Sequence, residues 1–458
     1  MDHTVNIVDA IMGTGKTTAM IRYINESPPD RRFIFCTPYL EQVQRVLSAC
    51  PGKGFVEPDD KTATKLVSIK NLIADGMNIA TTHALFMLLD DEARELIEAR
   101  NYTLIIDEAM DILGMVDITP YDIKTICKEY CAEDPDGKLR WEVPEYEGKF
   151  DVYRPEIEAG VVYRSSPISL VRIANISTFS AFQEVFLMTY LFDGQIHKSY
   201  FDMYGWHYKH WFVAGNDVDT SRLPPEPVQY QPRDYSHLIS IKHHFKGERL
   251  VTSRGSFSLS WYNRNVHGDG QPTEQFNILK KHMTSFFRSV YKDGYTDPMW
   301  TTFKIYRKPL AASGYSKGFL HCSAKATNEY RSKNALAYPV NRYINPNLVN
   351  FISAHGGKID HNAFALSEMV QWVWRSAIRD CKPIVLYIPS DRMCLLFTDW
   401  LDEISGKKPL VGGESKESGH CLLVPCPGLI QQPDRSPTPP SIHTIKSHKL
   451  NFENSPMV

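Results

Sequence analysis

One stretch near the start of the chain, "NIVDAIMGTGKTTAMIRYI", constrains the fold more than any other. Ile7 and Val8 close an apolar run of strand type, and Ala19, Met20, Tyr23 and Ile24 then recur at helical spacing. Between them, Ala10 to Thr17 fits the phosphate-binding loop pattern, with Ala10 standing where the consensus has its first Gly. Small residues are needed there because successive backbone N–H groups must close around phosphate oxygens. The helix that starts near Lys16 adds the positive end of its dipole. The pattern assigns Met12, Gly13, Thr14, Gly15, Lys16, Thr17 and Thr18 to nucleotide binding. Lys16 is placed to reach the β- and γ-phosphates of a nucleotide, and the Thr17 hydroxyl to hold Mg²⁺.

Short runs rich in β-branched and aromatic residues follow: "RFIFCTP", "NIATTH", "YTLIIDEA" and "EVFLMTY". Helical patterns separate them, as at Leu40 to Leu47 and Ala93 to Ile97. Strands alternating with helices predict a parallel sheet covered on both faces, with the chemistry at the carboxyl ends of its strands. Thr37, Thr81, Thr82, Asp107, Glu108 and Thr189 all fall at such ends. Asp107, closing a buried strand, is the second Mg²⁺ ligand, and Glu108 the general base that activates water. An acidic, Tyr-rich stretch at 111–169 interrupts the alternation and reads as an insertion whose structure the sequence leaves open.

"SRLPPEPVQYQPRD" reads as a linker. A second alternating series follows, through "HLISI", "MWTTFKI", "GFLHCSA", "NALAYPV" and "KPIVLYIPS", without a phosphate loop of its own. From about Ser405 the chain turns to Gly, Ser, Pro and His, a composition that predicts a disordered tail. The expected organisation is therefore a first α/β domain over 1–225, a second over 226–404, and a tail over 405–458.

In "SEMVQWVWRSAIRD", Met369, Val370, Val373, Trp374 and Ala377 form an apolar stripe, which predicts an amphipathic helix with Ser367 as its N-cap. Gln371, Arg375 and Arg379 are four residues apart and share the polar face of such a helix. An Arg from a second domain stabilises charge on a γ-phosphate only when the domains close on the nucleotide. These three join Lys16, Asp107 and Glu108 as catalytic candidates.

Composition sets outer bounds. At 458 residues, 43% hydrophobic and 23% charged, the chain has the size and balance of two to three globular domains. A net charge of −2 gives no global basic field, so a nucleic-acid partner must be held by a local groove. No apolar run reaches membrane-spanning length and the N-terminus lacks a signal-peptide pattern, which predicts a cytoplasmic protein without membrane contact. Of nine scattered Cys, Cys127 and Cys131 ("CKEYC") lie close together with no second pair to complete a zinc site, and read as reduced thiols.

In this order, "AIMGTGKTT", "IIDEA" and "QWVWRSAIR" resemble motifs I, II and VI of superfamily 2 helicases. "CTPYLEQVQRV" resembles motif Ia, "ATTHALF" the nucleic-acid-contacting motif after it, and "FLMTYLF" motif III. "MWTTFK" resembles motif IV and "KATNEYRSKNALAYPVNRYINP" motif V. The likeness spans roughly residues 5 to 400 and points to helicase-like proteins of bacteriophages and to the herpesvirus origin-binding helicases. It implies an α/β fold of two RecA-like parallel-sheet domains, with ATP and Mg²⁺ in the cleft between them and a single strand across their tops. Thr37, Pro38, Thr82 and His83 would face that strand from the first domain, Thr302 and Thr327 from the second, and Thr189 would link nucleotide state to strand path. Short hydroxyl side chains suit phosphate contacts that carry no sequence information.

Two departures from the family pattern stand out. Trp374, not Gly, precedes Arg375, and the next Arg is four residues on, which makes Arg375 the finger and leaves Arg379 secondary. Ala-Met follows Asp107-Glu108, so this is no DEAD- or DEAH-box chain in the strict sense. The resulting expectation is an ATP-dependent helicase or translocase on single-stranded DNA. Its setting would be phage or prophage replication or recombination inside a bacterial host, beside the proteins of those processes. A terminase-like packaging ATPase is one alternative and would require clustered carboxylates in the second half. An ATP-gated clamp that does not unwind is the other.

Overall fold

Runs of consecutive apolar residues become the centre of the first sheet. In the computed structural model, which describes residues 3–61, 64–214, 222–223, 234–243, 250–266, 271–324 and 329–407, the chain opens with four strands of that sheet. They are β1 (Thr4–Asp9), β2 (Arg32–Thr37), β3 (Ile79–Thr82) and β4 (Tyr102–Asp107). All six residues of β4 and the last five of β2 are buried, because strands covered on both faces need no polar alternation. The insertion then supplies β5 (Leu113–Met115), β6 (Cys131–Glu133), β7 (Leu139–Trp141), β8 (Val162–Ser166) and β9 (Ser169–Ile173). The chain returns to the first sheet in β10 (Glu184–Thr189) and β11 (His207–Trp211). The order is β11-β1-β10-β4-β2-β3, and every pair is parallel. Seating β10 between β1 and β4 gathers three strand ends, with Asp9 opposite Thr189 and Met188 opposite Asp107.

The second sheet is built from β12 (Ile239–Lys242), β13 (Pro298–Trp300), β14 (Ala335–Ala337) and β15 (Ile384–Tyr387), in the parallel order β12-β15-β14-β13. Alternate residues face opposite sides. Ala335, Ala337, Val385 and Tyr387 pack under the helix Glu274–Lys292 through Phe276, Leu279, Met283, Phe286 and Phe287. Leu336, Ile384 and Leu386 pack on the other side against the helices His361–Val373 and Asp391–Ile404. The fold is α/β with two RecA-like parallel-sheet domains, and the first carries the 10–17 loop between β1 and the helix Lys16–Glu26. No helix among the described residues is long and apolar enough to cross a membrane.

The insertion is folded. β5, β9 and β8 form an antiparallel sheet, β6 and β7 a hairpin, and Ile123, Ile126, Leu139, Phe150, Ile157 and Leu170 a core of their own. Strands of three to five residues are too short to show a periodicity in sequence. "GFLHCSA", expected as a strand, is none. Phe319 bridges Trp300 at one residue, Leu320 N–H donates to Trp300 O at 2.9 Å, and the chain turns away at His321 to Ala324. The linker 221–234 lies outside the described residues except at 222–223 and 234, and the tail lies outside them from 408.

The two apolar cores do not separate at residue 225. Ile344, Leu348, Phe351, Ile352 and Phe364 pack into the core of the first sheet, where Phe351 meets the Tyr163 ring edge-on at 6.1 Å. In return, Ile11 and Tyr190 join the core under the second sheet. Burial of its apolar face on the first domain is what holds the helix Pro346–Ala354 there. Phe351→Ala is therefore expected to cost about 3–5 kcal/mol and to loosen both domains together. A single thermal transition that moves down as one unit would show this; an unshifted midpoint would not.

Candidate active site

The loop after β1 is shaped by two glycines. Gly13 and Gly15 both sit at φ +88°, a region closed to most side chains, and Gly15 caps the helix Lys16–Glu26. Ala10 is not among the residues of positive φ and so needs no such freedom, and its N–H donates to Thr189 O at 3.2 Å. Thr14 is buried, with its hydroxyl donating to Ile11 O at 2.8 Å. The Lys16 ammonium folds back onto the carbonyls of Ala10 and Ile11, the second at 3.3 Å. Burial pulls it down to about 8, against the pull of Asp107 and Asp9.

Across from the loop, β4 ends on Asp107, which is 6% exposed. The Thr17 hydroxyl donates to Asp107 Oδ2 at 3.2 Å. Burial, then the neighbouring Glu108, pushes the Asp107 carboxyl up to about 7. A buried carboxylate beside a hydroxyl at the mouth of a phosphate loop is a donor set of the kind Mg²⁺ takes, with phosphate and water completing its shell. Among the described residues no group of three or more His, Cys, Asp or Glu forms an all-protein metal cage, and Cys127 and Cys131 are free thiols.

Glu108 stands at φ +64°, and its N–H donates to Met188 O at 3.1 Å. Left-handed backbone at a residue other than Gly costs on the order of 1–3 kcal/mol. Here it turns the chain off the sheet and leaves the Glu108 side chain exposed toward the cleft.

The arginine segment departs from expectation. The helix starts at His361 with Asp360 as N-cap, accepting from Asn362 N–H and Ala363 N–H, while Ser367 is buried in its interior. It ends at Val373, before either arginine. Ser376 ends it: the backbone there is extended, and the Ser376 hydroxyl donates to Val373 O at 2.7 Å. Trp372, Val373, Trp374, Ala377 and Ile378 are all buried, so the segment has no continuous polar face. Gln371 stays on the helix, Arg375 follows its end, and Arg379 lies in a 3₁₀ turn, Ala377–Asp380. Arg375 is only 9% exposed, and its Nε has no hydrogen-bond partner among the described residues. Burial lowers its pKa and Glu108 opposes that shift. Arg379 packs on the loop; a side chain at Gly13 would meet its Cγ at 3.4 Å.

One cavity of about 620 Å³ collects these groups. Met12, Gly13, Gly15, Lys16, Thr17, Thr18, Asp107, Glu108 and Thr189 line it from the first domain, and Gln371, Trp374, Arg375 and Arg379 from the second. Sequence reasoning passed over three residues here. Arg45 lines the cavity and donates to the Thr18 hydroxyl at 3.0 Å. Tyr190 lines it beside Thr189, and Asp9 stands at the loop's entry. For Asp9 a signal existed, since an apolar strand ends there on a carboxylate directly before the loop.

The expected strand contacts scatter. Thr37 and Pro38 line the same cavity, with the Thr37 hydroxyl buried. Thr82 caps the short helix after β3 by accepting from Leu85 N–H, and His83 Nε2 lies 3.1 Å from Asp107 O. Thr302 is completely buried and offers no surface to a strand, because the chain after β13 dives under the aromatic ring of Tyr262 and its neighbours. Thr327 lies outside the described residues.

The second domain coincides with a family model, that of the YonV C-terminal Rossmann-like domain, which matches residues 233–401. Over 417 residues the whole chain is 34% identical to the SPbeta prophage-derived protein YonV of Bacillus subtilis (strain 168), covering 87% of this chain and 98% of that protein. The chain belongs to the YonV family. Similar solved structures include an apo XPD (13% identity, 87% of this chain, 95% of that one, TM-score 0.48). S. tokodaii Xpd4 is another (12%, 86%, 94%, TM-score 0.46). S. cerevisiae Dbp5 bound to RNA and ADP BeF3 is a third (8%, 89%, 84%, TM-score 0.34).

Proposed function

We propose that this member of the YonV family is a nucleic-acid-stimulated ATPase of helicase type, a motor on single-stranded DNA in phage or prophage replication or recombination. The observation that carries the reading is the facing of Lys16, Thr17, Asp107 and Glu108 from one domain with Arg375, its Nε unpartnered, from the other. The prophage origin in its relative's name supports the setting.

In this reading the loop N–H groups and Lys16 hold the β- and γ-phosphates, and Arg375 approaches the γ-phosphate from the far side. Mg²⁺ would be held by Thr17 and Asp107 and would neutralise phosphate charge. Glu108, released from the sheet by its left-handed turn, takes the proton of the attacking water. Gln371 and Arg379 sit where they can steady the nucleotide or water from the second domain. Glu108→Gln is expected to bind ATP normally and to slow turnover about 10²–10⁴-fold, trapping a complex with single-stranded DNA. A variant that turns over at the parental rate would reduce Glu108 to a strand-end carboxylate.

The strand itself would be held by phosphate contacts, since the chain has no global basic field. Affinity for single-stranded DNA is then expected to fall steeply with salt, by about 0.7 log units per log unit for each phosphate neutralised, and to vary little with base sequence. Titrating labelled oligonucleotides of several sequences over a salt series tests this, and a salt-independent, sequence-specific interaction overturns it. One observation favours the clamp reading as a second choice: the Phe351 segment shares the first domain's core, which restrains relative domain movement. Strand-stimulated hydrolysis without displacement of an annealed strand would decide for it.

A further inference from the structure

Arg375 is carried by the other domain, so its position over the loop must be set by contacts between the two domains. The turn that follows β10 supplies such contacts. Asp9, the last residue of β1, accepts the Leu191 N–H at Oδ1, 2.9 Å, and the Phe192 N–H at Oδ2, 3.1 Å. Both oxygens are thereby committed to one turn. Leu191 is held at φ +55°, which a two-point anchor can enforce and a hydrophobic side chain would not choose. Burial raises the Asp9 carboxyl above the usual range while hydrogen bonds from the two N–H donors pull it back.

From this turn two contacts reach the second domain. Tyr190 hydroxyl accepts the Trp400 Nε1–H at 3.1 Å, and Trp400 stands edge-on to Trp374 at 5.3 Å, one residue before Arg375. Gly194 lies so close to the start of the helix His361–Val373, which leads into Arg375, that a Cβ there would sit 2.2 Å from Ala363 O. The Ser367 hydroxyl of the same helix reaches Gly194 O at 3.4 Å. We propose that Asp9 is a positioning residue: by fixing the 190–194 turn it sets where the second domain's helix sits, and so where Arg375 stands over the phosphate loop. The inference rests on the ATPase reading and assigns to the loop's own strand the task of registering the far domain.

The test uses the full chain with Asp9→Asn and Gly194→Ala, which disturb the same joint from opposite sides. Asn keeps one acceptor but sets an NH₂ against a backbone N–H, and Ala forces the helix away while leaving Asp9 and Lys16 untouched. Steady-state ATP turnover with saturating single-stranded DNA gives kcat and KM, and a fluorescent ATP analogue gives affinity without turnover. Both variants are expected to lose about 10- to 100-fold in kcat, with nucleotide affinity within about threefold of the parent. Adding Arg375→Ala to either should cost little more than Arg375→Ala alone, because both act through the same contact. If Asp9→Asn instead weakens nucleotide binding and Gly194→Ala has no effect, Asp9 serves Lys16 by charge and the proposal fails. Unchanged kcat in both, or losses that multiply with Arg375→Ala, also overturn it. Failure of Asp9→Asn to fold leaves Gly194→Ala to decide. A parent chain with no turnover at all is a different result, and it removes the ATPase reading together with this inference.

Discussion

Arg375→Ala is expected to bind ATP within a few-fold of the parent and to lose most strand-stimulated hydrolysis. The reason is where its charge sits. Arg375 is buried at the edge of the cleft, its Nε lacks a partner among the described residues, and the acid that acts on it most strongly is Glu108. Keeping a desolvated cation in that place is unfavourable unless an anion joins it. A γ-phosphate whose charge grows and spreads in the transition state meets that need. Arginines supplied to a phosphoryl-transfer site in this way contribute on the order of 10³–10⁵ in rate. Arg375→Lys should not restore activity, because a point charge cannot reproduce the planar fork. Arg379→Ala should be milder, since Arg379 lies partly exposed and packs against Gly13. Normal turnover of Arg375→Ala in the presence of single-stranded DNA would remove the second domain from the chemistry.

The second large effect belongs to Lys16. Its ammonium is held by the carbonyls of Ala10 and Ile11 and lies between the charges of Asp107 and Asp9. Lys16→Ala removes the cation that faces the phosphates and leaves Asp107 and Asp9 without their counter-charge. ATP binding should fall below detection at ordinary concentrations, and turnover should drop by at least on the order of 10³. The fold should persist, since Lys16 packs in no apolar core; circular dichroism of the variant beside the parent checks this. Retained ATP binding in a folded Lys16→Ala protein would mean that the loop holds some other anion.

How far the sequence led depends on range. The phosphate loop was legible because its chemistry is local: two glycines, one Lys and one Thr act within a single turn between a strand and a helix. The strands of the first sheet were legible because burial on both faces leaves an unbroken apolar run, as in "YTLIID". The arginine segment was half legible. Spacing selected Gln371, Arg375 and Arg379, and all three line the cleft. That spacing implied one amphipathic helix, whereas the helix ends at Val373 and the chain is extended at Ser376, and the buried residues 372–378 leave no continuous polar face. Thr302 failed for a related reason. A hydroxyl near a strand end looks alike in sequence whether it faces solvent or lies under an aromatic ring. Asp9 carried a local signal as a strand-end carboxylate, but its contacts and those of Tyr190 went unread because their partners are some 180 and 210 residues away, a separation that no local pattern reports.

One cleft, made of two domains, is proposed to hydrolyse ATP in response to a nucleic-acid strand. Steady-state release of phosphate by the full chain with Mg²⁺ and ATP, measured with and without single-stranded DNA, is the decisive measurement. Slow basal turnover is expected, with a rise of at least about tenfold when the strand is added, and loss of that rise in Arg375→Ala. Turnover that ignores the strand, or no turnover in the folded parent protein, would contradict it.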